Sequence, residues 1–415
     1  MLTLFVAVFV INACAAQALG DETFDLTFGA GGEASFAGTA FALQPDGKIV
    51  ATGWHYTDPP AEGEFSVWRY NADGRRDVFF GNRGRVAISP TPFSDVAAAV
   101  AIQPDGKIVV AGYSYADSNP YNTLYLLLVR FHADGGLDHS FGQGGISLVQ
   151  NPYTRTIKGL TIQPDGKIVV VGSGLRADVS YCNGAFMVAR YTSTGQLDPT
   201  FGRGNNDHSP GIVLFYIANP PFTPCLIYYS ELRSVSITPE GKILVGGSYL
   251  RDAPYRGYFV VAQLSRTGKL EFQKTYFDGR DESFDSGFSF LQKLPDGKIL
   301  AIGTKVARFQ ANGELDPTFA PNAQLEVSSR WLINGRGAIL PDGRIVHART
   351  SDLVSTTNTL ISVLSGDGIV LSHLVKPYVA SIRAVIAQPD GKFIIISGMA
   401  RRYLNITADI TDKGE

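Results

Sequence analysis

The sequence predicts an all-β protein assembled from one repeated unit, and three observations carry that prediction. The segment Gln44-Pro45-Asp46-Gly47-Lys48-Ile49-Val50 recurs at 103–109, 163–169, 238–244, 294–300, 340–346 and 388–394. A second hairpin follows at 67–80, 129–141, 189–201, 262–272 and 307–319, with a degraded copy at 362–372. The seventh unit lacks this second ending, yet the chain opens with it: Phe24-Asp25-Leu26-Thr27-Phe28-Gly29 matches Leu197-Asp198-Pro199-Thr200-Phe201-Gly202. A supersecondary unit repeated at this spacing means a propeller, a solenoid or an array. An amino-terminal strand that completes the last unit favours a closed ring, because closure removes open sheet edges. The expectation is a seven-bladed β-propeller of four-stranded antiparallel blades, one domain over residues 19–415, with its last blade closed by the amino-terminal strand.

The elements follow in order. Residues 2–16 form an apolar run that ends in Ala16-Gln17-Ala18. This reads as a signal peptide over 1–18, although no Lys or Arg precedes the run. The stretch Ile11-Asn12-Ala13-Cys14 also loosely matches a lipoprotein processing site, so a lipid anchor through Cys14 is the alternative. The second unit serves as the type. Residues 96–103 read as a first strand, Pro104-Asp105-Gly106 as a turn, 107–113 as a second strand, 124–131 as a third and 137–149 as a fourth. Proline presets φ at the first turn position, Asp bonds the backbone ahead of it, and Gly takes the left-handed conformation the loop requires. The largest departure from the repeat is an insertion over about 204–232. The last strand spans about 400–408.

Composition suits this architecture. Of 415 residues, 45 are Gly and 22 are Pro, and 45% are hydrophobic, as short buried strands joined by tight turns require. Lys plus Arg number 36 against 38 Asp plus Glu, a net charge of −2. No overall basic field exists to hold a phosphate backbone, so nucleic acid is not an expected partner. Beyond the leader the cysteines are Cys182 and Cys225, and in an exported chain a disulfide between them is expected, pinning the insertion.

The Gln-Pro-Asp-Gly-Lys-Ile turn, the Ala-Arg-Tyr strand seen at 189–191 and the Leu-Asp-Pro-Thr-Phe-Gly segment resemble the delta-60 repeats of bacterial β-propeller proteins. The resemblance runs from Phe24 across nearly the whole chain, with units four and six departing most. It implies a propeller that is secreted, periplasmic or on the cell surface. It carries no established catalytic residues.

Several residues look chemical and are read as structural. Arg69 and Asp77, Arg130 and Asp138, Arg190 and Asp198, and Arg308 and Asp316 stand eight apart across the second hairpin, and the same register sets Arg402 against Asp25. These read as exposed cross-strand pairs worth roughly 0.2 to 1 kcal/mol each. Unit four has Gln263 and Glu271 there, and unit six Val363 and Leu371. The turns Asn71-Ala72-Asp73-Gly74 and Gln310-Ala311-Asn312-Gly313 have too few carboxylates for a calcium loop. The six histidines are scattered singly, with no zinc spacing, no nucleophile elbow and no phosphate-binding glycine loop. No metal and no cofactor are expected.

The functional expectation rests on the rim opposite the Pro-Asp-Gly turns. Trp54 and Tyr56 with Asp58, Tyr113 and Tyr115 with Asp117, Asp178, and Tyr249 with Asp252 cluster in the loops that follow each second strand. Aromatic faces beside carboxylates suit a sugar, a peptide or a protein surface. The first reading is therefore a monomeric, non-enzymatic binding module with no membrane-spanning segment after the leader. The alternatives are a hydrolase of lactonase or glycosidase type, with acids in the central funnel, and a structural module of a cell-surface assembly.

Overall fold

The structure is a computed structural model, and it describes residues 25, 27–30, 33–56, 63–115, 124–150, 154–175, 184–203, 210–217, 227–251, 256–281, 287–319, 332–353, 356–377, 382–397 and 400–403. A short strand β1 (Glu33–Ala34) comes first. Sheet 1 is β2 (Ala40–Leu43), β3 (Ile49–Tyr56), β4 (Gly63–Tyr70) and β5 (Arg85–Ile88). Sheet 2 is β6 (Asp95–Ile102), β7 (Ile108–Tyr115), β8 (Leu124–Phe131) and β9 (Ile146–Gln150), and sheet 3 is β10 (Thr154–Ile162), β11 (Ile168–Gly174), β12 (Ala185–Tyr191) and β13 (Ile212–Phe215). Sheet 4 is β14 (Ile227–Ile237), β15 (Ile243–Arg251), β16 (Arg256–Leu264) and β17 (Leu270–Asp281). Sheet 5 has three described strands, β18 (Phe290–Lys293), β19 (Ile299–Ile302) and β20 (Val306–Phe309). Sheet 6 is β21 (Leu332–Ile339), β22 (Ile345–Leu353), β23 (Thr356–Leu364) and β24 (Val370–Pro377). In sheet 7, β25 (Ala384–Ala387), β26 (Phe393–Ile396) and β27 (Ala400–Tyr403) are joined by β1, which pairs with β27 through Glu33 and Arg401.

Every pairing of these strands is antiparallel, and all but that of β1 with β27 join strands consecutive in the chain. The first strands β2, β6, β10, β14, β18, β21 and β25 each lie against the next, and β25 lies against β2. The core is divided among the gaps between sheets. Val50, Val67, Phe80, Val110 and Val129 fill the gap between sheets 1 and 2, and Phe28, Ile49, Trp68, Tyr70 and Ile394 fill that between sheets 7 and 1. Middle strands are therefore covered on both faces, which is why β8, Leu-Tyr-Leu-Leu-Leu-Val-Arg-Phe, is nearly continuous hydrophobe.

Three expectations need correction. The Asp-Xaa-Thr-Phe-Gly segment is a turn, and the fourth strand begins after it: β9 starts at Ile146, not near Leu137, and β1 at Glu33, not at Phe24. The reason lies in Asp138, whose Oδ1 accepts the Ser140 backbone N–H (3.1 Å) and hydroxyl (2.6 Å), a local alternative to the strand ladder. Sheets 4 and 6 lack this Asp, and there the fourth strands β17 and β24 start within two residues of the turn glycine. The insertion at 204–232 is also partly regular, since it contains β13 and the start of β14.

The Phe of the turn segment explains the Gly of the next unit. Phe141 is fully buried, and a Cβ on Gly195 of sheet 3 would stand 2.7 Å from its Cζ; Phe28 meets Gly74 and Phe80 meets Gly135 in the same way. Gly195 also sits at φ +87°. Gly195→Ala is therefore expected to cost about 2 to 4 kcal/mol, left-handed strain plus overpacking. Gly297, at φ +84° with nothing within 4 Å of the added Cβ, should cost only about 1 to 2 kcal/mol as Ala. Urea denaturation of the two variants tests the difference, and equal losses would remove the packing argument.

Candidate functional site

The Arg and Asp pairs are buried ion clusters, not exposed pairs. Arg69 Nε donates to Asp77 Oδ2 at 2.8 Å, Arg130 to Asp138 at 2.7 Å, Arg190 to Asp198 at 2.8 Å and Arg308 to Asp316 at 2.7 Å. Each side chain in these pairs is at most 9% exposed. The turn lysine is a third member that sequence reading missed: Lys48, Lys107, Lys167 and Lys298 lie 2.9 to 3.2 Å from the same carboxylates. Each Arg also lies over the ring of the turn Phe, with Arg130 4.6 Å from the Phe141 centroid. It then donates across the gap to the next sheet, as Arg130 Nη1 does to Ser193 O at 2.7 Å. These clusters bind sheet to sheet. In sheet 7 Lys392 reaches Asp25 at 2.8 Å, while the Arg402 side chain lies outside the described residues.

A second site lies where the first strands converge. The residue five before each turn segment is Thr39, Ala98, Lys158, Arg233, Ser289, Gly335 and Arg383 in units one to seven. The pairing register skips Ala98, Lys158 and Arg233, so bulges re-aim this position in sheets 2, 3 and 4. All of them except Gly335 line a cavity of about 470 Å³, together with Arg336, Tyr113, Phe41 and Phe290. A second cavity of about 800 Å³ shares Ala40, Phe41, Lys158, Arg233, Ser289 and Phe290 with it and continues toward Pro164, Pro239 and Lys293 on the turn side. No Asp or Glu is among the described residues lining either cavity. Behind this wall Glu231, fully buried, pairs with Arg233 Nε at 2.9 Å and Lys158 Nζ at 3.6 Å and accepts from Thr156 Oγ1 at 3.2 Å. Arg383 donates to Gly38 O of sheet 1 at 2.8 Å, and Arg336 Nε to Arg383 O at 3.2 Å.

The aromatic candidates divide. Tyr113 lines the smaller cavity, 6.0 Å from Tyr115 in an edge arrangement. Burial, with Tyr115 and Glu231 nearby, pushes its hydroxyl up to about 12. Tyr249 is a correction: it is 2% exposed, stacked on Tyr258 at 4.8 Å, and belongs to the core between sheets 3 and 4. Its place late in a strand, not in a loop, buries it. The Trp54 and Tyr56 side chains, Asp58, Asp117, Asp178, Asp252, Cys182 and Cys225 lie outside the described residues. Glu231 escaped sequence reading because it fell within the supposed insertion. Counting seven back from Thr238 finds it, in register with Thr156 of sheet 3.

No helix among the described residues is long and apolar enough to cross a membrane, and no cluster of three His, Cys, Asp or Glu there could hold a metal.

Four segments, 44–80, 103–141, 163–201 and 294–319, match the β-propeller family described as a domain of unknown function (DUF5122). No curated protein sequence matches the chain. Among solved structures the chain is similar to Sqt1 from Chaetomium thermophilum, at 10% identity over 89% of this chain and 96% of that one with a TM-score of 0.44. It is similar to Drosophila Semaphorin 2a at 11% identity over 92% and 76%, TM-score 0.48. A polysaccharide lyase, the PL25 ulvan lyase, follows at 12% identity over 92% and 95%, TM-score 0.45. At these values the likenesses say nothing about what this chain binds.

Proposed function

We propose that this chain, which carries the repeats of a β-propeller family, is an exported, closed seven-bladed propeller acting as a non-enzymatic binding module for a glycan, peptide or protein. Support for closure comes from the amino-terminal residues: β1 pairs within sheet 7, while Phe28 packs against Gly74 of sheet 1. The finer likeness to delta-60 repeats rests on the turn and Ala-Arg-Tyr motifs. Export rests on the apolar run ending in Ala16-Gln17-Ala18, and in an oxidising compartment Cys182 and Cys225 would form the bridge that holds the 204–232 region.

One observation carries the binding reading. The cavity where the first strands meet is lined by cations, an aromatic hydroxyl and two phenylalanines, and its neighbouring acid, Glu231, is engaged by Lys158 and Arg233. Glycoside hydrolysis calls for two carboxylates facing each other across the substrate, and the described residues of this wall include no such pair. Recognition needs only convergent polar groups on an apolar cavity.

A thermal-shift screen of the purified chain tests this. An oligosaccharide or peptide that binds the folded state at one hundred times its Kd stabilises it by about 2.7 kcal/mol. The expected result is a rise in Tm that Tyr113→Ala and Trp54→Ala together abolish. Turnover of a lactone or an aryl glycoside would instead establish the hydrolase, and no shift with any sugar or peptide would overturn the binding module.

A further inference from the structure

We infer that the ligand of the axial cavity is an acidic oligosaccharide, one bearing carboxylate or sulfate groups; this rests on the binding reading above. Four sheets contribute a cation to its lining: Lys158 from sheet 3, Arg233 from sheet 4, Arg336 from sheet 6 and Arg383 from sheet 7. Lys293 of sheet 5 adds a fifth in the adjoining cavity. Against these five stand two carboxylates among the described residues, Glu231 behind Lys158 and Arg233 and Glu240 at 2.9 Å from Lys293, so the passage keeps a net positive charge within low-dielectric walls that focus the field. The chain as a whole has a net charge of −2, so this concentration is local.

Glu231 fits the arrangement. Fully buried, it holds Arg233 and Lys158 from behind, while their side chains keep 18% and 40% of their surface exposed. Lys158 and Arg233 line both cavities, with Phe41 and Phe290 beside them. A pyranose ring has an apolar face for such aromatics and equatorial substituents for the cations. An acidic peptide would meet the same charge but would bind best by adding a strand to an inner sheet edge. Bulges in β6, β10, β14 and β21 interrupt those edges, which favours the sugar.

Calorimetric titration of the full chain at low and physiological salt tests the proposal with oligogalacturonate, a chondroitin sulfate hexasaccharide, maltohexaose and poly-glutamate as probes. The expected result is binding of one or both acidic sugars that weakens with salt, with the pair telling carboxylate from sulfate recognition. Lys158→Gln should weaken it about fivefold, and Arg383→Gln, on the far wall and not paired with Glu231, should weaken it likewise and gives the reading if loss of the Glu231 partner makes the first variant unstable. Equal binding of maltohexaose, indifferent to salt and to both substitutions, would overturn the anionic ligand while the binding module stands. Preferential binding of poly-glutamate would overturn the sugar, and no binding of any probe would sink this inference; the wider screen above then decides the binding module separately.

Discussion

Asp138→Ala is expected to destabilise the fold by about 3 to 5 kcal/mol, because it leaves a buried guanidinium without its counter-charge. Arg130 is 7% exposed, its Nε bonds Asp138 at 2.7 Å, and its Nη1 is committed to Ser193 O of the next sheet. The carboxylate also anchors the Ser140 N–H and hydroxyl and faces Lys107 at 3.2 Å, so truncation undoes a turn as well as a pair. In urea the variant's midpoint should fall with the slope unchanged. Asp105→Ala removes an exposed turn acceptor and should cost no more than about 1 kcal/mol. Matching losses in the two variants would show that burial of the cluster contributes nothing.

The same clusters set the acid limit. Burial alone would raise the Asp138 carboxyl, but the bonds from Ser140, Lys107 and Arg130 overcome it and hold it well below the ordinary value of 3.8. Asp77, Asp198 and Asp316 are shifted the same way, against the same burial. A carboxyl whose folded value is depressed contributes stability that is complete above its unfolded value and is lost as pH falls toward the folded one. Tm should therefore fall steeply with acidification only below about pH 4. A Tm that is flat between pH 4 and pH 2 would contradict the shifts, and Asp138→Ala should flatten part of the slope.

Phe28→Ala is expected to cost about 3 to 5 kcal/mol, as other buried Phe truncations do. Phe28 is fully buried, its ring lies 6.1 Å from Phe36, and it packs with Trp68 and Tyr70 of sheet 1 and Ile394 and Ile396 of sheet 7. Removing residues 1–34 should be worse. It deletes that ring, the Lys392 and Asp25 pair and the cover over the β27 edge, and an uncovered edge invites aggregation. Scanning calorimetry with light scattering would read both effects. A truncated chain that melts like the parent would mean that joining the two chain ends does not hold the sheets together.

Much of this was legible from residues close in sequence. Pro104-Asp105-Gly106 acts through the φ and ψ of its own turn, and Arg130 and Asp138 are eight apart across one hairpin, so spacing alone pairs them. The match between 24–29 and 197–202 likewise assigns the first residues to the last unit. Burial was not legible in the same way: the Arg and Asp pairs read as exposed because the sheet that covers them, supplying Ser193 O to Arg130, begins dozens of residues later. Nor was the role of Lys107, since its turn explains it without reference to Asp138.

By itself, then, the sequence determined the repeated β-unit, its turns and the pairing of its ends, because turn chemistry and hairpin register act over a few residues. Only the tertiary structure decided which side chains face the cavity between the first strands. One skipped residue in the register turns Lys158 and Arg233 toward the cavity, and neighbouring sheets bring Glu231 to Thr156, 75 positions away, while Tyr249 is turned into the core. The side a strand residue faces flips with each step along the chain and with each bulge. What it meets there depends on the packing of sheets that no local pattern records.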